Sequence, residues 1–182
     1  DFFLTRILAR VAVPFFLMVT GQFVAAGFTA PSVRATARLH KFIQKTMLLY
    51  IFCILLYLPV GIYAGHYKDM TIGSALRMVL FDGTFYHLWY FPAWILAISL
   101  VHLISRFLSL RNMTIVSAIL YLIGLFGDSY YGLAQKIPAL ETMYDGLFRI
   151  FSYTRNGLLL APLFLVLGMW MAVGTEKEDR LS

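Results

Sequence analysis

Five stretches of the chain run for close to the thickness of a bilayer without a single Asp, Glu, Lys or Arg: residues 11–32, 46–67, 83–105, 112–127 and 156–175. A helix needs about 20 apolar residues to cross hydrocarbon. Backbone N–H and C=O groups left unpaired there are too costly, so each stretch is predicted to be helical. The pattern therefore restricts the fold class to an all-α integral membrane protein, a multi-helix transmembrane bundle with about five spans. The fourth stretch is short and is expected to borrow Tyr130 and Tyr131 at the interface. Composition agrees, with 60% hydrophobic and 13% charged residues, where a soluble domain carries about 25% charged. Mean hydropathy is +0.78. Residues 1–182 read as one transmembrane domain. The chain starts at Asp1 and shows no signal-peptide pattern, which reads as a piece of a longer protein. Cys53 is the only cysteine; no disulfide or cysteine metal site can form within the chain, and a buried thiol is its plain role.

Charge then orients the spans. Arg34, Arg38, Lys41 and Lys45 lie between the first two stretches with no acid among them, and Arg106 and Arg111 lie between the third and fourth. The other connections are mixed: Lys68 and Arg77 with Asp69 and Asp82, then Lys136 and Arg149 with Asp128, Glu141 and Asp145. Purely basic loops face the cytoplasm. Residues 34–45 and 106–111 are therefore expected inside, in a multi-pass protein of a bacterial-type plasma membrane, and the first span runs inward. A further helix is expected upstream. The net charge of +6 is topological in this reading, and no nucleic-acid partner is expected. Residues 71–80 are too short to span and are predicted to form a surface helix before a turn at Asp82–Gly83. Residues 128–155 are expected to make a partly helical cap.

This orientation collects unusual polar residues at the outer ends. Arg6 and Arg10 share a helical face, and their planar forks suit a carboxylate or another anion; snorkelling to lipid phosphate is the plain alternative. His87, Tyr90, Phe91, Trp94 and Ile98 follow the i, i+3, i+4, i+7 rhythm of one face. Pro92 is expected to kink the helix just below His87 and open a cavity there; the plain alternative is an interfacial hydrogen bond. His102 falls about 22 Å further along at ~1.5 Å per residue. It cannot share a metal with His87, His40 and His66 have no partners at ligand spacing, and no metal is expected. Asp128 closes the fourth stretch, while Arg155 and Asn156 open the fifth. An Asp128–Arg155 ion pair or a substrate contact would each account for them. Convergence of Arg6, Arg10, Asp82, His87, Asp128 and Arg155 on one compartment favours a substrate-binding pocket. Inside, Arg34, Arg38, Lys41 and Lys45 suit anionic lipid or a phosphate-bearing donor.

Four segments, "TRILARVAVPFFLMVTG" (5–21), "FDGTFYHLWYFPA" (81–93), "LIGLFGDSYYG" (122–132) and "YTRNGLLLAPLFLVLG" (153–168), resemble acyltransferase family 3, the integral-membrane acyltransferases. Within it they are most similar to the branch that forms the membrane half of vancomycin-resistance-type membrane serine racemases. The resemblance implies a parent of about ten transmembrane helices, of which this chain holds the middle. It implies transfer of an acyl group, often acetyl from acetyl-CoA, to extracytoplasmic acceptors. The family's presumed catalytic histidine lies on the first helix, upstream of this chain, so the catalytic residue is unknown here. His87 and Trp89 match the family's His-Leu-Trp-Tyr motif, taken to shape the acceptor cavity, and Arg155 matches an arginine before a late helix. Where many members carry a cytoplasmic Arg-x-x-Arg, this chain has Arg34-x-x-x-Arg38 and Lys41-x-x-x-Lys45. That departure weakens the acyl-CoA inference and favours relatives that handle an amino acid.

The expected function is a membrane O-acyltransferase taking an acyl group from cytoplasmic acyl-CoA to an extracytoplasmic hydroxyl on a glycan or small molecule, with no bound cofactor. The alternative is an L-serine uptake module, or the membrane anchor of a membrane-bound serine racemase with a fused C-terminal catalytic domain. In the uptake reading Arg6 and Arg10 hold the carboxylate and Asp82 or Asp128 holds the ammonium. Expected substrate-side residues are Arg6, Arg10, Asp82, His87, Trp89, Tyr90, Asp128, Arg155 and Asn156, within the lipid bilayer.

Overall fold

The computed structural model describes residues 9–29, 33–68, 70–85 and 87–178, and all of its regular elements are helical. They are α1 (Ala9–Phe23), a 3₁₀ segment (Ala25–Thr29), α2 (Val33–Tyr63), α3 (Ile72–Arg77) running into a π-helical turn (Met78–Asp82), α4 (Tyr90–Ile104), α5 (Leu110–Asp128), α6 (Tyr131–Ala134), α7 (Pro138–Phe148) and α8 (Ala161–Glu178). Two of them, α2 over Arg34–Tyr63 and α5, are long and apolar enough to cross a membrane. The other apolar helices are shorter: Val11–Phe23, Tyr90–Ile104 and Ala161–Gly174. Five full-length spans are thus not what helix length alone supports.

Where boundaries differ from the sequence reading, local chemistry explains it. The basic strip before the second stretch is the first third of α2, because Arg and Lys are good helix formers whose charge interrupts an apolar pattern without interrupting a helix. Ser109 caps α5 by accepting from the Asn112 N–H, so that helix gains length at its start. The third stretch yields helix only from Tyr90. Pro92 is the third residue of α4, in the first turn, where a missing N–H costs little. The Leu88 carbonyl, to which Pro92 has no N–H to offer, accepts instead from the Phe91 N–H at 3.1 Å. No kink forms below His87; that histidine precedes the helix, and Phe91 and Ile98 of the same face are buried.

α8 is the central element and packs against α1, α4 and α5. It meets α1 antiparallel through two glycines. A Cβ on Gly21 would collide with the Leu165 carbonyl, and one on Gly168 with the Met18 carbonyl. Small residues let helix backbones approach this closely in apolar surroundings, where dispersion has to supply the attraction. Along α5 the Trp170 Nε1–H donates to Thr114 Oγ1 at 2.8 Å. α2 turns Ala35, Leu39, Thr46 and Tyr50 inward and leaves Leu48, Phe52, Leu55 and Leu56 exposed. An exposed apolar surface of that extent belongs against lipid or other helices.

α2 and α4 also run antiparallel, with Tyr50 stacked on Phe91 at 5.4 Å and Phe42 edge-on to Trp94 at 6.2 Å. At the far end of α4, Phe28 meets the His102 ring at 4.7 Å. The start of α2 therefore lies beside the end of α4, and the two purely basic connections share one end of the bundle. The opposite end carries the finish of α5, the start of α4 and the approach to α8.

Candidate functional site

Five consecutive residues, 152–156, organise that opposite end. The Ser152 N–H and hydroxyl both donate to the Asp82 carboxylate, at 3.1 and 2.6 Å, and the Tyr153 hydroxyl donates to the Asp82 carbonyl. The Thr154 hydroxyl donates to the Gly124 carbonyl on α5 at 2.7 Å. The Arg155 guanidinium lies 5.6 Å from the Trp89 ring centre and 6.0 Å from that of Tyr153. Asn156, 1% exposed, accepts from the Leu158 and Leu159 N–H groups through its side-chain oxygen. It thereby starts the turn that leads into α8. Gly157 follows, and a Cβ there would strike the backbone of Ala93, so the entry to α8 sits directly on α4.

Asp82 is consequently a structural tie. Its side chain is 12% exposed and also pairs with Arg77 Nε at 3.4 Å. Gly83 follows with φ 81°, in the left-handed region, and turns the chain toward Trp89. Hydrogen bonds to a charged group contribute about 1.5–3 kcal/mol each, and less where solvent reaches them, as it does at Ser152. Asp82→Ala is expected to destabilise the domain by about 1–2 kcal/mol on that reduced scale and to loosen residues 152–156. A lowered thermal midpoint in detergent, with faster backbone hydrogen exchange at Ser152, checks this.

Asp128 and Arg155 line one cavity of about 120 Å³, together with Tyr121, Gly124, Leu125, Ser129, Thr154 and Leu160. The sequence reading allowed an ion pair between them, but the acid and the guanidinium make none; among the described residues the ion pair is Arg77–Asp82. Arg155 Nε is buried with no hydrogen-bond partner. The π face of Trp89 supports the cation without neutralising it, and the C-terminal end of α5 favours positive charge beside it. The cavity wall is braced from behind. The Tyr144 hydroxyl donates to the Ile123 carbonyl at 2.7 Å, and burial pushes this phenol above its ordinary value, so it keeps its proton. A Cβ on Gly127 would run into Thr154 and Tyr144.

The other residues singled out from the sequence are spread more widely. Arg6 and the side chain of Arg10 lie outside the described residues. His87 is exposed at the same end, with its ring 6.4 Å from Phe85. Tyr90 lies tilted against Phe91 and edge-on to Trp94 and borders a separate apolar cavity of about 360 Å³ between α1, α2 and α4. Asp82 borders a third cavity, of about 220 Å³, with His66, Thr84 and Tyr153. The structure thus brings together Asp128 and Arg155, links Trp89 to Arg155, and makes Asp82 and Asn156 scaffold. Arg34, Arg38, Lys41 and Lys45 are exposed at spacings of i, i+4, i+7 and i+11, one stripe along α2 at the basic end. Among the described residues no group of three His, Cys, Asp or Glu comes together. Ser152, Tyr153 and Thr154 escaped the sequence reading. Their signal was a run of hydroxyls immediately before an arginine at the mouth of an apolar stretch.

A family model described as an acyltransferase domain matches residues 1–179. Among curated proteins the chain is similar to two amino-acid racemases of Enterococcus faecalis. One is 41% identical over 173 residues, covering 94% of this chain and 24% of the relative; the other is 40% identical over 172 residues, covering 93% and 24%. It is also similar to a serine/alanine racemase of Enterococcus gallinarum, 38% identical over 181 residues, covering 98% of this chain and 26% of that protein. The chain spans about a quarter of the length of these relatives. No solved structure matches it.

Proposed function

The chain belongs to the acyltransferase domain family, as a membrane domain homologous to those of membrane-bound serine/alanine racemases, and from that premise we propose that it binds and takes up L-serine or a similarly small amino acid. One observation carries the reading: an acid and an arginine share a small cavity, and neither neutralises the other. A zwitterion needs that pairing of opposite charges held apart. The Arg155 fork takes the carboxylate in a bidentate, charge-assisted contact, and Asp128 takes the ammonium. About 120 Å³ is well below the 300–1,000 Å³ of sites for larger ligands, which limits the substrate to a short side chain. Trp89 orients the guanidinium, while Asp82, Thr154 and Asn156 fix the segment that carries it. His87, Tyr90, Arg6 and Arg10 belong to the approach to this site.

In this account all five apolar helices cross the plasma membrane. The three shorter ones are extended by the 3₁₀ segment after α1 and by the turns before α4 and α8. The basic end faces the cytoplasm, so the cavity opens outward. The racemase chemistry resides in the remainder of a longer parent, and this domain both anchors it and supplies its substrate.

The family description supports a second reading, transfer of an acyl group from cytoplasmic acyl-CoA to an extracytoplasmic hydroxyl. There Arg34, Arg38, Lys41 and Lys45 meet the donor's phosphates, and the base comes from a histidine upstream of the chain. The two readings part in one experiment on the full-length protein in proteoliposomes, with labelled L-serine outside and labelled acetyl-CoA inside. Uptake expects the serine label to enter without acyl transfer. Acetyl label appearing on an outer hydroxyl acceptor, with no serine entry, would replace it with the second reading.

A further inference from the structure

We infer that an acidic phospholipid seats in the groove between α3 with its π-helical turn and the end of α7, its phosphate on Arg77 and Arg149 and its chains over Leu76, Leu80 and Ile150. The inference stands apart from the uptake reading, since it concerns the rim of the domain and not the Arg155 cavity. The groove has a volume of about 440 Å³ and is lined by these residues and Phe81. It lies at the same end of the bundle as residues 152–156, because Ser152 holds Asp82 at the close of the π-helical turn. Both walls are fixed in advance: besides that tie, Phe81 meets Phe151 edge-on at 5.3 Å.

Charge and apolar exposure together select the occupant. Arg77 spends its Nε on Asp82 at 3.4 Å, and its terminal nitrogens have no partner among the described residues. Arg149 is exposed, and its side chain makes no hydrogen bond, ion pair or ring contact among them. Asp145, one turn earlier on α7, forms no ion pair with it, and Asp82 is already met by Ser152 and Arg77. Asp69 lies outside the described residues. The groove thus holds cationic donors that the protein leaves unmatched, and guanidinium forks suit phosphate. Beside them Leu76, Leu80 and Ile150 are 57%, 50% and 52% exposed. A free phosphate would make no use of such a floor, whereas a phospholipid carries its anion directly above hydrocarbon. A short helix with this mixture of leucines and arginine rests in the headgroup layer. A zwitterionic headgroup would bring its own cation toward the two arginines, which favours an acidic one.

The test uses the full-length protein in phosphatidylcholine nanodiscs doped with phosphatidylglycerol that carries a photoreactive diazirine on one acyl chain, near the ester. Phosphatidylcholine with the same photoreactive chain is the control. Labelled positions are mapped by peptide mass spectrometry, so lipid bound elsewhere on the protein does not enter the comparison. Phosphatidylglycerol is expected to label residues 76–81 and 149–150 about fivefold more than the control, the scale of one arginine acting at a membrane surface. R149Q should bring the two lipids level, while R149K, which keeps the charge, should retain most of the preference. Backbone exchange at Ser152 should match wild type in both variants, showing the walls intact. Excess inorganic phosphate should leave the labelling unchanged. Equal labelling by the two lipids in the wild type would reduce the groove to ordinary lipid contact and overturn the inference without recourse to any variant. A preference that survives R149Q would overturn it too. So would absence of label from both lipids, which would mean that protein covers the groove, or loss of label to inorganic phosphate, which would mean a site for a free anion.

Discussion

Arg155→Gln is expected to weaken L-serine binding to the outer site roughly a hundredfold or more while leaving the helices assembled. Truncating one partner of a desolvated charge pair costs about 2–5 kcal/mol, and each 1.4 kcal/mol is tenfold in affinity. Arg155 falls inside that range for three reasons visible in its surroundings. Its Nε is buried without a partner, Asp128 does not pair with it, and Trp89 holds the guanidinium plane at 5.6 Å. The free protein gains little by keeping this cation, so the ligand gains much by meeting it. Arg155→Lys separates charge from geometry. It keeps the positive charge but loses the fork, and a partial recovery of about tenfold over glutamine is expected. Dialysis with labelled serine reads both variants. Affinity within threefold of wild type in R155Q would mean that the carboxylate is held elsewhere.

Gly168→Val is expected to break the α1–α8 packing and lower the thermal midpoint more than any substitution on the lipid-facing side of α2. The obstacle is backbone: a side chain at 168 meets the Met18 carbonyl and the Gln22 N–H, and one at Gly21 meets the Leu165 carbonyl. Neither can rotate away, so the helices must separate and surrender contacts along their whole crossing. Overpacking a close interface costs about 1–3 kcal/mol for small intrusions and more where the backbone must move. Gly168→Ala already adds the colliding Cβ and should exceed the small-intrusion range, with Gly168→Val beyond it again. Unfolding in mixed detergent micelles, followed by tryptophan fluorescence, measures both. Wild-type stability in both variants would show that α1 and α8 do not approach at these glycines.

How much of this was legible in the sequence depends on whether neighbours in the chain or neighbours in space decide the outcome. The helical class and the apolar segments follow from the charge-free runs, because lipid leaves the backbone no other solution. The short helix expected over 71–80 appears as Ile72–Arg77 running into the turn to Asp82, and the turn at Gly83 was readable from its Asp-Gly pair. The boundaries were not. Charge hid the first third of α2, and Pro92 was misplaced because a proline in the first turn of a helix and one in its interior look alike until the start is known. At the site, Asp128 and Arg155 were selected by position, but their relation required coordinates. Thr154 fixes the Arg155 segment to Gly124, thirty residues away, and Ser152 reaches Asp82 across seventy. Nothing in local spacing announces such pairings. Gly124 and Gly127, three apart on one face of α5, were the available hint that another chain segment lies against that helix.

The account stands on a zwitterionic amino acid lying between Arg155 and Asp128. Solid-state NMR of the full-length protein in lipid, with carboxyl-¹³C and amino-¹⁵N L-serine, measures that arrangement through dipolar dephasing. The account predicts the serine carboxyl carbon within about 4 Å of the Arg155 guanidinium nitrogens, and the serine nitrogen similarly close to the Asp128 carboxyl carbon, as ion-paired groups require. Both couplings should vanish in R155Q. Bound serine that shows neither coupling in the wild-type protein would contradict it.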